Sequence, residues 1–500
     1  MKKLAWTMIF ILLFHSMAWA APIEFSGGVS DEFQYKEVVF LSGKPVVFVG
    51  TVTVNVKIDE KQEEKKATYT FTLSPEDIDI EGKLTRNVTL ITTYTPVTGK
   101  GQTIANTKVT RYTENVTIGQ DTFKLTNSDI QFSQSDIIDN RPAIDFYSGN
   151  IQALKRYEIN GGEGIAQVKI TGGDVGYKNF WGSTQTQLLD YVYTINRKAQ
   201  GENENSSWEG TVSVKVSDST TKSLQYSQNE ANFSSFNGGY IQVVKEGMIS
   251  QYTYNLPRIT DEGIDPFGRN QGTISLQASK VPKVERLIVP KFRDTAGHWA
   301  QQDIEKLYSL GVFEGNTSFF IPDGSMTRID FVKAVVKACD IGGNEEADSS
   351  SKRSSRKKKG EVEEIIFVDI DSSHPDYQYV KKAFEKNIIT RGTDYRFNPN
   401  EPLTKAEAVT ILIRVLGLEG KAPAPGYKTS FSDDSKIPNW AKDAVYMAAE
   451  AGIIGGDNNN NVNAHKQLKR SEASALLVRF LEFLEKDLQK DYSENIIYYY

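Results

Sequence analysis

Three cations stand where helices are expected to begin: Arg328, Lys405 and Arg470. Their settings are Thr327-Arg328-Ile329-Asp330, Thr404-Lys405-Ala406-Glu407 and Lys469-Arg470-Ser471-Glu472. Thr327 with Asp330, and Thr404 with Glu407, have capping-box spacing, in which the hydroxyl accepts from the N3 amide and the carboxylate reaches back. A cation beside that terminus is mildly disfavoured by the helix dipole. Its recurrence therefore asks for a ligand or a carboxylate partner, and the ligand is favoured. Elsewhere the chain is poor in reactive groups. Residues 21–290 contain no histidine and no cysteine, which removes the usual zinc ligands, Ser–His–Asp and Cys–His arrangements. No nucleophile elbow or phosphate-cradling glycine loop occurs. A carboxylate pair acting on glycosides survives, with Asp261-Glu-Gly-Ile-Asp265 its densest candidate, although such segments are usually turns. Asp457 and the asparagines after it lack the EF-hand pattern. No metal or cofactor is expected.

The elements that carry the cations occur in triplicate. The first copy runs through Phe292-Arg-Asp294, His298-Trp299-Ala300, Gly311-Val312-Phe313-Glu314-Gly315, Phe320-Ile-Pro322 and Met326–Asp330. The second reads Phe367-Val-Asp369, Asn387–Gly392, Phe397-Asn-Pro399 and Leu403–Glu407. The third reads Phe431-Ser-Asp433, Trp440-Ala441, Gly452–Gly456 and Leu468–Glu472. Shifting the second helix by 77 and then 65 residues superimposes Val335, Leu412 and Leu477, and likewise Cys339, Leu416 and Leu481. Cys339 is thus a small core group rather than a reactive thiol. One helix–loop–helix cannot bury its apolar stripe alone, so three copies are expected to share a core.

These motifs resemble the S-layer homology family over roughly Phe292–Leu488. The resemblance implies a pseudo-threefold helical prism that binds anionic, pyruvylated secondary cell-wall polysaccharide in grooves between repeats. It implies that Arg328, Lys405 and Arg470 face the sugar at helix N-termini, where free amides and the dipole help form an anion site. Trp299 and Trp440 would line grooves. Asp294, Asp369 and Asp433, with Gly315, Gly392 and Gly456, would complete the walls. The bland alternatives are core tryptophans, turn aspartates and conformational glycines. Copy one is the most complete, which ranks Arg328 first: copy two has Pro375 in place of the tryptophan, and copy three lacks Phe-x-Pro and the capping threonine.

Before Pro290 the grammar differs. Val52, Val54, Val56 and Ile58 alternate with polar residues, as do Val212, Val214 and Val216. Period two reads as half-buried antiparallel strands, expected to form sandwich-like sheets. The fold class is thus multidomain α+β, an N-terminal all-β half followed by an all-α half. Lys2, Lys3, the apolar run Leu4–Phe14 and Ala18-Trp19-Ala20 read as a secretory signal peptide. The divisions are a signal over 1–20, β-rich domain 21–280, linker 281–291, repeats 292–341, 367–419 and 431–488, a charged insertion 342–366, a linker 420–430 and a tail 489–500. A net charge of −6 argues against nucleic acid, and no apolar run suits a membrane span. The expected partners are anionic wall polysaccharide and other S-layer subunits, at the cell-wall surface. The expected role is a non-enzymatic anchor displaying a β-rich domain with a structural or binding role. The alternatives are a wall-attached carbohydrate-active hydrolase and a membrane β-barrel, the latter opposed by the C-terminal helices.

Overall fold

The computed structural model describes residues 25–59, 62–198, 207–227, 239–260, 263–289, 292–315, 318–341 and 366–487. The signal segment, most of the insertion and the tail lie outside the described residues, as do Asp261 and Glu262. Asp265 accepts from Gly268 N at 2.9 Å, a turn contact.

The N-terminal half is β1 (Val29–Ser30), β2 (Tyr35–Val39), β3 (Val46–Asp59), β4 (Glu64–Pro75), β5 (Gly82–Val97), β6 (Gln102–Ile118), β7 (Asp121–Leu125), β8 (Ile130–Asn140), β9 (Ile144–Ile159), β10 (Gly164–Asn179), β11 (Gly182–Arg197), β12 (Trp208–Ser227), β13 (Gly239–Thr260), β14 (Gly263–Ser279) and β15 (Lys283–Leu287). Nearly every strand pairs antiparallel with its sequence neighbour, so the whole half is one continuous sheet. The separate sheets of a sandwich are therefore absent among the described residues. The single sheet curls until its two ends approach: Tyr252 Oη donates to Gly27 O and Tyr191 Oη to Phe25 O, both at 2.6 Å. Alternation decides the faces. In β10, Ala166, Val168 and Ile170 are buried, whereas Gln167 and Lys169 face outward. In β3 the expected buried face is instead open, with Val54, Val56 and Ile58 at 46%, 46% and 61% exposure. Residues 283–287, within the expected linker, instead pair with β13 as β15.

Six helices follow among the described residues: α1 (Gln301–Ser309), α2 (Arg328–Ala338), α3 (Tyr377–Glu385), α4 (Lys405–Leu416), α5 (Asn439–Glu450) and α6 (Arg470–Glu482). Each repeat contributes a pair, and α2, α4 and α6 supply the most buried surfaces, including Val335, Leu412 and Leu477 at 0% exposure. Cys339 is buried with them, and burial pushes its thiol far above the usual range. The first helix of each pair ends on a left-handed residue, Gly311, Asn387 or Gly452, at φ 67°, 57° and 68°.

The repeats interlock through a ring of backbone bonds. Met326 N donates to Leu468 O, Leu468 N to Leu403 O, and Leu403 N to Met326 O, each at 2.8 Å. At the other ends of the second helices the chain meets the sheet. Ala143 N donates to Val415 O at 3.1 Å, and Asn179 Nδ2 to Leu484 O at 3.3 Å. Ala143, Ile144, Tyr177 and Trp181 belong to the same buried cluster as the helices.

Candidate functional site

The ring of backbone bonds places the start of every second helix against the neighbouring repeat. Arg328 N and Ile329 N donate to Glu401 O and Pro399 O of repeat two, both at 3.0 Å. Lys405 N and Ala406 N donate to Lys466 O and Ala464 O of repeat three, both at 2.9 Å. Arg470 N and Ser471 N close the cycle on Gly324 O and Pro322 O of repeat one, at 2.8 and 2.9 Å. The amides expected to greet an anion are therefore already occupied. The third amide follows suit in two copies, donating to Thr327 Oγ1 at 3.2 Å and to Thr404 Oγ1 at 3.3 Å. In copy three the lysine offers no acceptor, and only the reverse bond remains, Lys469 N to Glu472 at 3.0 Å.

The cations also run in a cycle. Arg328 Nη2 lies 2.7 Å from Glu407 Oε1 of repeat two, and Arg470 Nη1 lies 3.6 Å from Asp330 of repeat one. Lys405 loses basicity to burial, which Glu472 of repeat three opposes. Each dipole-opposed cation thus has the N3 carboxylate of the next repeat beside it, the carboxylate partner that helix electrostatics calls for. Arg470 is held further by Nε donating to Phe320 O at 3.0 Å, with its guanidinium 4.5 Å over the Phe320 ring. No hydrogen bond engages its Nη2 among the described residues.

The aspartates tie loops. Asp294 accepts from Phe320 N and Ile321 N at 2.9 and 2.6 Å, and Asp369 from Phe397 N and Asn398 N at 2.8 and 2.7 Å. Asp433 accepts from Val462 N and Asn463 N at 2.8 and 2.9 Å. Both oxygens of each carboxylate are committed, so these are positioning residues. They hold the middle residue of each loop in left-handed backbone: Ile321, Asn398 and Asn463 at φ 59°, 55° and 55°. A β-branched residue there is strained. Of the glycines, Gly456 sits where a Cβ would come 2.4 Å from Asn460 Oδ1, and Gly315 takes φ 157°. Gly392 occupies the equivalent turn before Asp394. These positions are conformational.

The tryptophans lie outside the core: Trp299 is 64% exposed and Trp440 54%. Trp299 rests against His298 with ring centroids 5.5 Å apart. His298 acts electrostatically on Asp323, whose carboxyl Lys469 holds below its usual range by a 2.7 Å bond. Arg470 of repeat three packs on repeat one, against Phe320 and Asp330, and Trp299 is exposed on that same repeat. Lys405 lies within electrostatic reach of Glu472 and Asp433 of repeat three, the repeat that carries exposed Trp440. Arg328 faces repeat two, which has Pro375 instead. Sequence reading placed the sites between repeats and ranked them by the completeness of each copy, whereas the structure sets the cation of one copy against the N3 carboxylate of the next. Lys469 and Asp323 were missed because their bond crosses from repeat three to repeat one.

Residues 291–332, 366–409 and 430–474 match the S-layer homology domain. The chain is 29% identical over 164 residues to a cellulosome-anchoring protein of Acetivibrio thermocellus, covering 33% of each. It is 24% identical over 235 residues to the surface-layer 125 kDa protein of Lysinibacillus sphaericus, covering 46% of this chain and 18% of that one. It is 28% identical over 217 residues to an amylopullulanase of Thermoanaerobacterium thermosulfurigenes, covering 43% of this chain and 11% of that enzyme. The chain thus spans a third or less of the length of these relatives. No helix among the described residues is long and apolar enough to cross a membrane. The three helix pairs form anchor modules rather than catalytic ones, and the chain is a secreted, cell-wall-attached protein carrying three S-layer homology domains.

Proposed function

We propose that the three repeats form a pseudo-threefold prism that anchors the protein non-covalently to anionic, pyruvylated secondary cell-wall polysaccharide. The β-rich half is then displayed with a structural or binding role. The groove between repeats three and one is the principal site, and the observation that supports it is the Arg470 guanidinium laid over Phe320 of repeat one, the repeat that also exposes Trp299. A carboxylated sugar takes the guanidinium edge left by Phe320 O and Asp330, while the indole offers its flat face to the apolar side of a ring. The groove of Lys405 and Trp440 keeps a point charge without the planar fork. The groove of Arg328 keeps the fork without a tryptophan.

This ordering is tested on the full chain by co-sedimentation with isolated sacculi. Arg470→Ala is expected to weaken binding more than Arg328→Ala, by roughly tenfold or more, since one charge-assisted contact contributes about 1.5–3 kcal/mol. Its melting temperature should fall only slightly, because partly exposed ion pairs contribute about 0–1 kcal/mol. Stripping the secondary polymer with hydrofluoric acid should abolish binding by the parent protein. Unchanged binding in Arg470→Ala would show that this arginine serves only to join repeats.

A further inference from the structure

The inner face of the β half holds two charged clusters, one buried and balanced, the other anionic, with Asp174 buried and Asp136 half-buried. In the first, Arg86 and Lys155 meet Glu37 and Glu114. In the second, Asp136 of β8 and Asp174 of β10 lie in register on either side of Gly149 of β9. A Cβ on Gly149 would come 1.7 Å from Asp136 Oδ1, so the missing side chain is what lets the carboxylates approach. Two amides already serve the pair. Gln134 Nε2 donates to Asp136 Oδ2 at 3.1 Å, and Gln185 Nε2 to Asp174 Oδ2 at 2.7 Å. Two acceptors remain: Asp174 Oδ1 and Gln187 Oε1 are buried without a hydrogen-bond partner among the described residues. Asp174 and Gln187 are 4% and 5% exposed and sit directly opposite one another on β10 and β11.

We propose that Asp136, Asp174 and Gln187 form a binding site for a hard divalent cation of the calcium or magnesium class. Every atom offered is an oxygen, with no nitrogen or sulfur ligand, which selects such ions over zinc or copper. A cation supplies the positive charge that neither acid finds among its neighbours, and it satisfies both orphaned acceptors at once. Two carboxylates and an amide oxygen fill only part of a coordination shell, so water completes it, as is usual for magnesium and common for calcium.

Without the ion, burial opposes ionisation of both acids, and Asp174 opposes that of Asp136 further. The other ionisable groups on this side of the interior are Tyr94 on β5, Lys65 on β4, Asp145 and Lys178 on β9 and β10, and Asp218 and Glu246 on β12 and β13. Tyr94 acts on Asp136 directly and is pushed up to about 12 by burial and by that carboxylate, so it stays neutral throughout the range tested.

The test is isothermal titration of the full chain, freed of metal by chelation, with calcium chloride and separately magnesium chloride. The titrations are run at pH 8, 7 and 6, and one saturable site for at least one ion is expected. Asp174→Asn and Asp136→Asn should each weaken binding by tenfold or more, whereas Asp190→Asn on the outer face should leave it unchanged. Absence of saturable heat with both ions overturns the proposal, as does undiminished binding in both asparagine variants. Should those variants fail to fold, Gln187→Leu decides in their place, since undiminished binding without that amide oxygen overturns the proposal.

Discussion

Arg86 is 2% exposed and donates to Glu37 at 2.9 and 2.7 Å and to Glu114 at 2.8 Å. Lys155 Nζ is 3.4 Å from Glu114, and Tyr112 and Tyr157 donate to the same carboxylate at 2.8 and 3.0 Å. Burial opposes ionisation of Glu114, but Arg86 and Lys155 overcome it and hold the acid far below its usual range. Such a cluster contributes little over a well-packed apolar one, yet removing a single member strands the others. Arg86→Met should therefore cost about 3–5 kcal/mol in urea denaturation. Replacing all four charged residues by apolar ones of similar size should recover most of that loss. A small effect from the single substitution would mean that water reaches the cluster. None of this was legible beforehand, because a glutamate in a period-two strand does not reveal which distant strand will face it.

Among the elements, the two halves should answer pH with opposite signs. In the helical half, burial opposes ionisation of Asp294, Glu407 and Glu472, but amide and cation partners prevail and hold all three below their usual range. A lowered folded value adds stability above the unfolded value of about 4, and that stability is lost as pH falls through the folded value. In the sheet, burial raises Asp136, Asp174 and Asp218, the last to about 7. A raised acid binds its proton more tightly when folded, so the sheet loses stability as pH rises from about 4 through the folded values. Metal-free protein should therefore show sheet amides exchanging faster at pH 8 than at pH 5 after correction for intrinsic rates. Helical amides should lose most of their protection below about pH 4, with a smaller loss on the alkaline side from Asp303 and Glu485, which burial raises. Equal trends in both halves would refute the assignment of these shifts. The three helix pairs themselves were legible, since the repeat shift of 77 and 65 residues aligned positions that are all buried. Which copy faces which was not, because equivalent copies look alike until backbone bonds such as Met326 N to Leu468 O fix the cycle.

Across the whole molecule, one end of the helical trio is committed to the sheet and the cation-bearing end lies away from it. Val415 and Leu484, at or just past the C-terminal ends of α4 and α6, bond to Ala143 and Asn179. Asp340, just past α2, acts electrostatically on Lys222 of β12. The N-terminal ends, with Arg328, Lys405 and Arg470, lie a helix length away, about 17–20 Å at 1.5 Å per residue. With ligand grooves there, as proposed, the β half would point outward from the wall. The shared core makes this orientation rigid: Trp181 is 3% exposed within the helical cluster, and Tyr240 Oη donates to Gln302 O at 3.2 Å. The expected linker at 281–291 does not act as a loose tether, since part of it is strand β15. Two bodies joined through buried apolar surface should unfold together, whereas tethered ones unfold separately. Calorimetry of the full chain is therefore expected to give a single main transition near neutral pH. Trp181→Ala, which deletes a large buried side chain at a cost of about 3–5 kcal/mol, should split it in two. The variant should still sediment with sacculi, because the grooves lie at the opposite end. Two transitions in the parent protein would show that the interface is too weak to couple the halves, and the display geometry would then be free to vary.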